Sequence, residues 1–245
     1  MHIQNCEYKN ITDKRKAFLL TVVCILSLSL PICAMGMESV SEFDLNGARI
    51  MEALEKNQDQ GEQINTGIIF DTREKAEEFG GYFYRECYLG DENMLLGTRP
   101  VRHGSGSCEI VVLVRNPVKA VVQHRRAQAV LRETAEQNKA GDAYGTALNL
   151  YQWLYDHVQY DDTKKHYSVY SAVVGGSTVC YGYARAYRYL CMYSGLECEL
   201  VYGDNHVWNR VKIDGEWKYV DITWNRSLGE HRWMFLTEDE MGSHS

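Results

Sequence analysis

The strongest constraint on this chain is a dipeptide, Asp214-Gly215, set between two β-rich runs, His206–Ile213 and Glu216–Thr223. Asp-Gly is a two-residue hairpin signal, because both central positions of that turn need a positive φ that these residue types tolerate. Such a turn fixes the pairing register. With Ile213 opposite Glu216, Arg210 lies opposite Tyr219, Trp208 opposite Asp221 and His206 opposite Thr223. Directly opposed residues share a face, so His206 and Asp221 become diagonal neighbours, ~7–8 Å apart at the backbone and within side-chain reach. The other face carries Val207, Val211, Ile213, Val220 and Ile222, an apolar surface suited to a core. A one-residue slip would send the partners to opposite faces. The pattern predicts an imidazole oriented by a carboxylate.

A cysteine joins this pair. Gly175-Gly176-Ser177-Thr178 leads to Cys180, which opens a predicted helix running to Tyr193, with Gly195 as its stop. Tyr183, Ala186, Leu190 and Tyr193 fall on one side of that helix, and Ala184, Tyr187 and Cys191 on the neighbouring one. At a helix start the unpaired N–H groups and the positive dipole end favour a thiolate over a thiol. The same N–H groups can donate to an oxyanion during acyl transfer. Each residue has an ordinary explanation when taken singly: a buried structural cysteine, a strand histidine, an aspartate turning out of a strand. A helix-start cysteine packed over a sheet face with a paired histidine and aspartate is a combination that accident explains far less well than any one of the three, and it suits nucleophilic catalysis.

Three blocks now resemble the signature of the transglutaminase-like superfamily: Thr178–Tyr187, His206-Val-Trp-Asn209 and Asp214–Trp224. Tyr170-Ser171-Ala172 also resembles that family's approach to its cysteine, and the likeness spans about residues 144–240. The likeness is greatest to the family's small exported bacterial members. The resemblance implies an α+β, papain-like fold, with the cysteine-bearing helix packed on an antiparallel sheet. By position it makes Cys180 the nucleophile, and His206 and Asp221 the rest of a catalytic triad acting on protein or peptide amides. Water or an amine would resolve the acyl-enzyme, giving hydrolysis or cross-linking. Tyr181 and Trp208 are candidates for shaping the cleft. The alternative is a catalytically idle scaffold or binding module. Asn225 stands where many relatives carry an acid, and Val207 where they carry Ala. No acidic loop suits calcium, and no cofactor is expected. A metal site is not expected either, since Cys180 and His206 lack close Cys-x-x-Cys or His-x-x-x-His partners.

The remainder of the chain has less chemistry. Lys14-Arg15-Lys16, an uncharged run from Ala17 to Met37, Pro31 and the small residues Ala34 and Gly36 describe a secretory signal peptide cleaved after Ala34 or Gly36. An uncleaved membrane anchor over 17–37 and a lipoprotein on Cys33 are the rivals; the bulky Ile32 just before the cysteine weakens the second. All three export the chain, to a secreted or cell-envelope-associated location, with membrane contact only if this segment is retained. Residues 37–140 form a predicted α/β region of structural or substrate-positioning character, and 141–245 the catalytic domain. Helices are expected over Glu42–Asn57 (apolar side Leu45, Ile50, Met51, Leu54), from Asp71 towards Cys87, over Pro117–Gln137 and over Thr146–Tyr160. Strands are expected over Ile64–Phe70, Met94–Leu96, Glu109–Arg115, Glu197–Tyr202 and Trp233–Leu236.

Composition excludes one large class. Lys plus Arg number 26 against 33 Asp plus Glu, a net charge of −7, which opposes nucleic-acid binding through a basic surface. The eight cysteines divide by place. Cys6, Cys24 and Cys33 fall in the export segment, and Cys180 must stay free to react. Cys87, Cys108, Cys191 and Cys198 remain, either as buried thiols or as bridges, the most local pairing being Cys191–Cys198 with Cys87–Cys108.

Overall fold

The computed structural model describes residues 42–244, apart from 60, 92 and 243. The expected export segment, its cleavage point and its three cysteines lie outside the described residues. Among those described, no helix is long and apolar enough to cross a membrane.

Two apolar clusters organise the molecule. The first is built from α1 (Glu42–Lys56), α2 (Arg73–Tyr82) with a π-helical turn at Phe83–Cys87, and an antiparallel sheet of β1 (Gln63–Phe70), β2 (Leu95–His103) and β3 (Ser107–Val114) in the order β1-β3-β2. Ile50, Leu54, Phe79, Ile110 and Val112 are fully buried in it. α2 starts on Thr72, not on Asp71: the Thr72 hydroxyl accepts from the Lys75 N–H. Leu45 departs from its expected role and is 45% exposed, while Ile50, Met51 and Leu54 form the inner side of α1.

Strand β2 is three times the expected length. Gly97, Thr98 and Pro100 hide it from a propensity argument, yet β2 is an edge strand, where the missing proline N–H leaves no ladder bond unmade.

The long helix α3 (Pro117–Gln137), capped by the Asn116 side chain, belongs to both clusters. Its Ala120 and Val121 pack into the first, its Ala127, Leu131 and Ala135 into the second. That second cluster is centred on the cysteine-bearing helix α6 (Cys180–Ser194), with Tyr183, Ala186, Tyr187 and Leu190 at most 1% exposed. Burying each large side chain contributes roughly 1.5–3 kcal/mol before conformational entropy is counted. Around α6 stand α4 (Ala143–His157), the short α5 (Val169–Val173), the small parallel pair β4 (Gln159–Tyr160) and β5 (Ser177–Thr178), and a second antiparallel sheet. Gly195, at φ 85°, ends α6 in the left-handed conformation that glycine adopts without strain.

The second sheet runs β6 (Cys198–Tyr202), β7 (Val207–Ile213), β8 (Glu216–Val220). Its hairpin pairs Ile213 with Glu216, Arg210 with Tyr219 and Asn209 with Val220, the register that Asp214-Gly215 dictates. The expected strand to Thr223 stops at Val220, because Asp221 caps a new helix, α7 (Ile222–Leu228). The expected strand at Trp233–Leu236 reduces to one bridge, Tyr219 with Leu236; Phe235, at φ 55°, breaks the extended run. A four-residue helix, α8 (Glu238–Met241), follows with a Thr237/Glu240 capping box.

No disulfide links Cys87, Cys108, Cys180, Cys191 and Cys198, the cysteines among the described residues. Cys191 and Cys198 are joined by a thiol hydrogen bond, and burial pushes the Cys191 thiol well above its ordinary 9.0.

Candidate active site

The approach to Cys180 is tied down from behind. Asp161 accepts from the Thr163, Lys165 and His166 N–H groups and from the Thr163 hydroxyl, shaping a tight loop. The His166 carbonyl of that loop then accepts from the Thr178 hydroxyl (3.1 Å) and from the Val179 N–H (2.9 Å). Ser168 and Ser171 form a capping box at α5, and the Ser171 hydroxyl reaches Thr178. Gly182, one turn into α6, lies so close to this network that a Cβ there would sit 2.0 Å from Thr178 Oγ1. Position 180 is therefore fixed by packed backbone rather than by a mobile loop.

The hairpin delivers the other two residues. Asn209, 1% exposed, donates from its side chain to the Ala184 carbonyl (2.9 Å) and so fastens β7 to α6. Three residues earlier, His206 Nε2 lies 2.5 Å from Asp221 Oδ2. An ionised carboxylate only accepts, so the His206 proton facing it is on Nε2 and Nδ1 is left for the cysteine. Asp221 is fully buried, and its second oxygen accepts from the Trp224 N–H (2.9 Å) as the cap of α7. One carboxylate thus starts a helix and orients a ring.

Electrostatics follow from these contacts. Burial alone would raise the Cys180 thiol, but the hydrogen bond and charge of His206, with the backbone N–H groups of Val207 and Tyr181, bring it below its ordinary 9.0. Burial would lower His206, yet its bonds to Asp221 and Cys180 prevail and raise it from 6.5 to about 9. Burial would likewise raise Asp221, and the hydrogen bonds from His206 and His244 outweigh it and lower it. All three shifts favour thiolate, imidazolium and carboxylate together.

The structure brings together Cys180, His206 and Asp221, and gives the two expected cleft residues different surroundings. Tyr181 is half-buried beside Cys180, its ring 5.3 Å from the Arg185 guanidinium. Arg85 and Glu86, in the turn after α2, act electrostatically on Tyr181, so the first half of the chain reaches this side of the site. Trp208 is 7% exposed and stacks on His206 at 5.7 Å, covering a face of the imidazole. Asn225, the departure from the family pattern, bonds the backbone of Trp233 twice, as donor to its carbonyl and acceptor from its N–H.

One residue escaped the sequence reading. His244 lies against the same carboxylate, Nε2 to Asp221 Oδ2 at 2.7 Å. It sits beyond α8 with no periodic or turn signal to mark it. His206, Asp221 and His244 place three donor atoms within 4.8 Å of one another, a spacing that a metal ion can use. Here those atoms are engaged in hydrogen bonds within the group.

Comparison with known proteins agrees with the central part of the chain. Residues 131–222 match the family model of the transglutaminase-like superfamily. Kyphoscoliosis peptidase of Mus musculus and of Homo sapiens are each 26% identical to this chain over a match that covers 31% of it. The match spans 15% of the length of those curated relatives. Among solved structures, a TGase aligns at 13% identity and a TM-score of 0.37, covering 51% of this chain and 43% of that one.

Proposed function

From the premise that residues 131–222 are a transglutaminase-like domain, we propose that this chain is a cysteine-dependent acyl-transfer enzyme acting on protein or peptide amides. The observation that carries this reading is the His206 ring held between the Cys180 sulfur and the Asp221 carboxylate. The Cys180 thiolate attacks the amide carbonyl carbon, and the electron pair of the C=O bond moves to oxygen. The N–H of Cys180, first in its helix, donates to that oxyanion. His206 then delivers its Nδ1 proton to the departing nitrogen, which leaves as an amine or ammonia while a thioester forms. Water or an amine attacks the thioester, His206 takes up the proton, and the thiolate is regenerated. Asp221 stays ionised and holds the ring's tautomer throughout.

Export is part of the proposal, supported by the charged start and apolar run of residues 14–37. N-terminal sequencing of the mature protein tests it: a start near residue 35 or 37 supports cleavage, and an intact Met1 opposes it. For the chemistry, the full chain is incubated with a glutamine-bearing peptide, with and without a primary amine. Ammonia release with amine incorporation identifies cross-linking, ammonia release alone identifies deamidation, and backbone cleavage identifies a protease. Absence of every product across a panel of glutamine-bearing peptides, from folded protein whose Cys180 iodoacetamide does label, would reject an acyl-transfer function.

A further inference from the structure

Asp221 carries more hydrogen bonds than the orientation of one imidazole requires. Oδ1 accepts from the Trp224 N–H, while Oδ2 accepts from two rings, His206 at 2.5 Å and His244 at 2.7 Å. The His244 side chain is 1% exposed, and its ring lies 4.0, 4.5 and 4.9 Å from those of Trp224, Trp233 and Trp208. Its Nδ1 is buried with no hydrogen-bond partner. A buried ring nitrogen left unpaired is a cost to folding that a phenyl ring in the same tryptophan-lined space would avoid. What an imidazole supplies here and a phenyl cannot is the donor at Nε2, and that donor is aimed at the carboxylate.

We propose that His244 is a positioning residue of the Cys180–His206–Asp221 site, acting through Asp221 rather than on substrate. The proposal rests on the reading of those three residues as catalytic. A carboxylate with one helix-cap bond and one imidazole bond can still rotate about its terminal torsion, trading one oxygen for the other. A second N–H on Oδ2 opposes that rotation and keeps Oδ2 in line with His206 Nε2. The His206 ring is then held with Nδ1 towards the sulfur. Three tryptophans exclude the water that would otherwise replace a missing donor, so the effect of removing His244 is not masked by solvent. The element that delivers it is itself secured: the Asp221 N–H bonds the Trp233 carbonyl, Tyr219 and Leu236 exchange both backbone bonds, and α8 has its capping box.

The test uses the full chain and measures the rate of iodoacetamide labelling at Cys180, read by peptide mass spectrometry at neutral pH. Three variants are compared with wild type: His244→Ala, His244→Phe and His244→Gln. Loss of one hydrogen bond to a charged group corresponds to roughly a tenfold to hundredfold change. His244→Ala and His244→Phe should therefore label that much more slowly than wild type, with His244→Gln between. Added imidazole should restore His244→Ala by entering the vacated space and leave His244→Phe slow. Circular dichroism and melting temperature report whether each variant is folded, and His244→Phe preserves the packing if His244→Ala does not. Wild-type labelling in His244→Phe overturns the proposal, as does a folded, slow His244→Ala that imidazole fails to restore. A wild-type rate no faster than that of the urea-unfolded chain overturns the triad reading itself, and this proposal with it.

Discussion

Replacing Gly182 by alanine sets two effects of known size against each other. Helix propensity favours the change, by up to about 1 kcal/mol in a helix interior. Packing opposes it. The new Cβ would lie 2.0 Å from Thr178 Oγ1, 2.8 Å from Thr178 Cβ and 2.8 Å from the Ser168 carbonyl oxygen. Thr178 is fully buried and its hydroxyl is bonded to the His166 carbonyl, so rotating it away breaks that bond and turns its methyl or hydrogen into the gap. Ser168 O is backbone and already accepts from the Ser171 hydroxyl, so it cannot yield cheaply. Overpacking of this kind costs roughly 1–3 kcal/mol, and the lost Thr178 bond adds about 1 kcal/mol. Subtracting the propensity gain leaves about 1–3 kcal/mol of destabilisation. In a fold of this size that is a drop in melting temperature of roughly 2–10 °C. Because the helix start must shift to make room, labelling of Cys180 should slow in the same variant. Thermal unfolding followed by circular dichroism measures the first quantity and iodoacetamide labelling the second. A Gly182→Ala protein that melts at or above the wild-type temperature and labels at the wild-type rate would refute the reasoning.

Asp221→Asn keeps an oxygen for the Trp224 N–H but presents an amide or a wrongly polarised oxygen to His206; Cys180 labelling should fall sharply while folding is retained by circular dichroism. Asp221→Ala also removes the cap of α7, and its unfolding midpoint in urea should reveal a further loss of about 0.5–2 kcal/mol. His206 is raised to about 9 in the fold from an ordinary 6.5, so the stability from its bond to Asp221 is complete below pH 6.5 and is lost as pH rises through the folded value, while the lowered Cys180 thiol contributes the opposite slope. The difference in unfolding free energy between Cys180→Ser and Cys180→Ser/His206→Gln, in which no thiol titrates at the site, should accordingly shrink as pH rises above 6.5, and a difference that is flat or growing contradicts it. Asn209→Leu removes the side-chain donor that fastens β7 to the Ala184 carbonyl, which keeps only its helical bond within α6. It should cost on the order of 0.5–1.5 kcal/mol in urea unfolding, and no change in midpoint would show that the tie is dispensable.

How much of this was legible follows from what each signal depends on. The His206–Asp221 contact was readable because a two-residue turn fixes register and a period of two then fixes the face. The start of α6 at Cys180 and its end at Gly195 were readable from local chemistry, a glycine-rich entry and a left-handed exit. Local chemistry also misled. Ile222 and Thr223 are β-branched and extend the strand pattern, but Asp221, as a cap, starts a helix there. Strand β2 was cut short because Gly97 and Pro100 argue against a strand, a penalty that vanishes at a sheet edge. His244 and the covering role of Trp208 depend on three tryptophans from different segments meeting around Asp221, and no local pattern encodes such a meeting.

The central claim is that Cys180 is a thiolate because His206 makes it one. It is tested most directly by the pH dependence of iodoacetamide labelling at Cys180, in wild type and in His206→Ala. The shifts require wild-type labelling to rise below pH 9, where thiolate and imidazolium coexist, and to change again as His206 titrates near 9. Cys191, raised by burial, should remain unlabelled over the same range. In His206→Ala the single rise should move back up towards the ordinary thiol value of 9.0. Identical profiles in the two proteins, each rising once near pH 9, would contradict the claim.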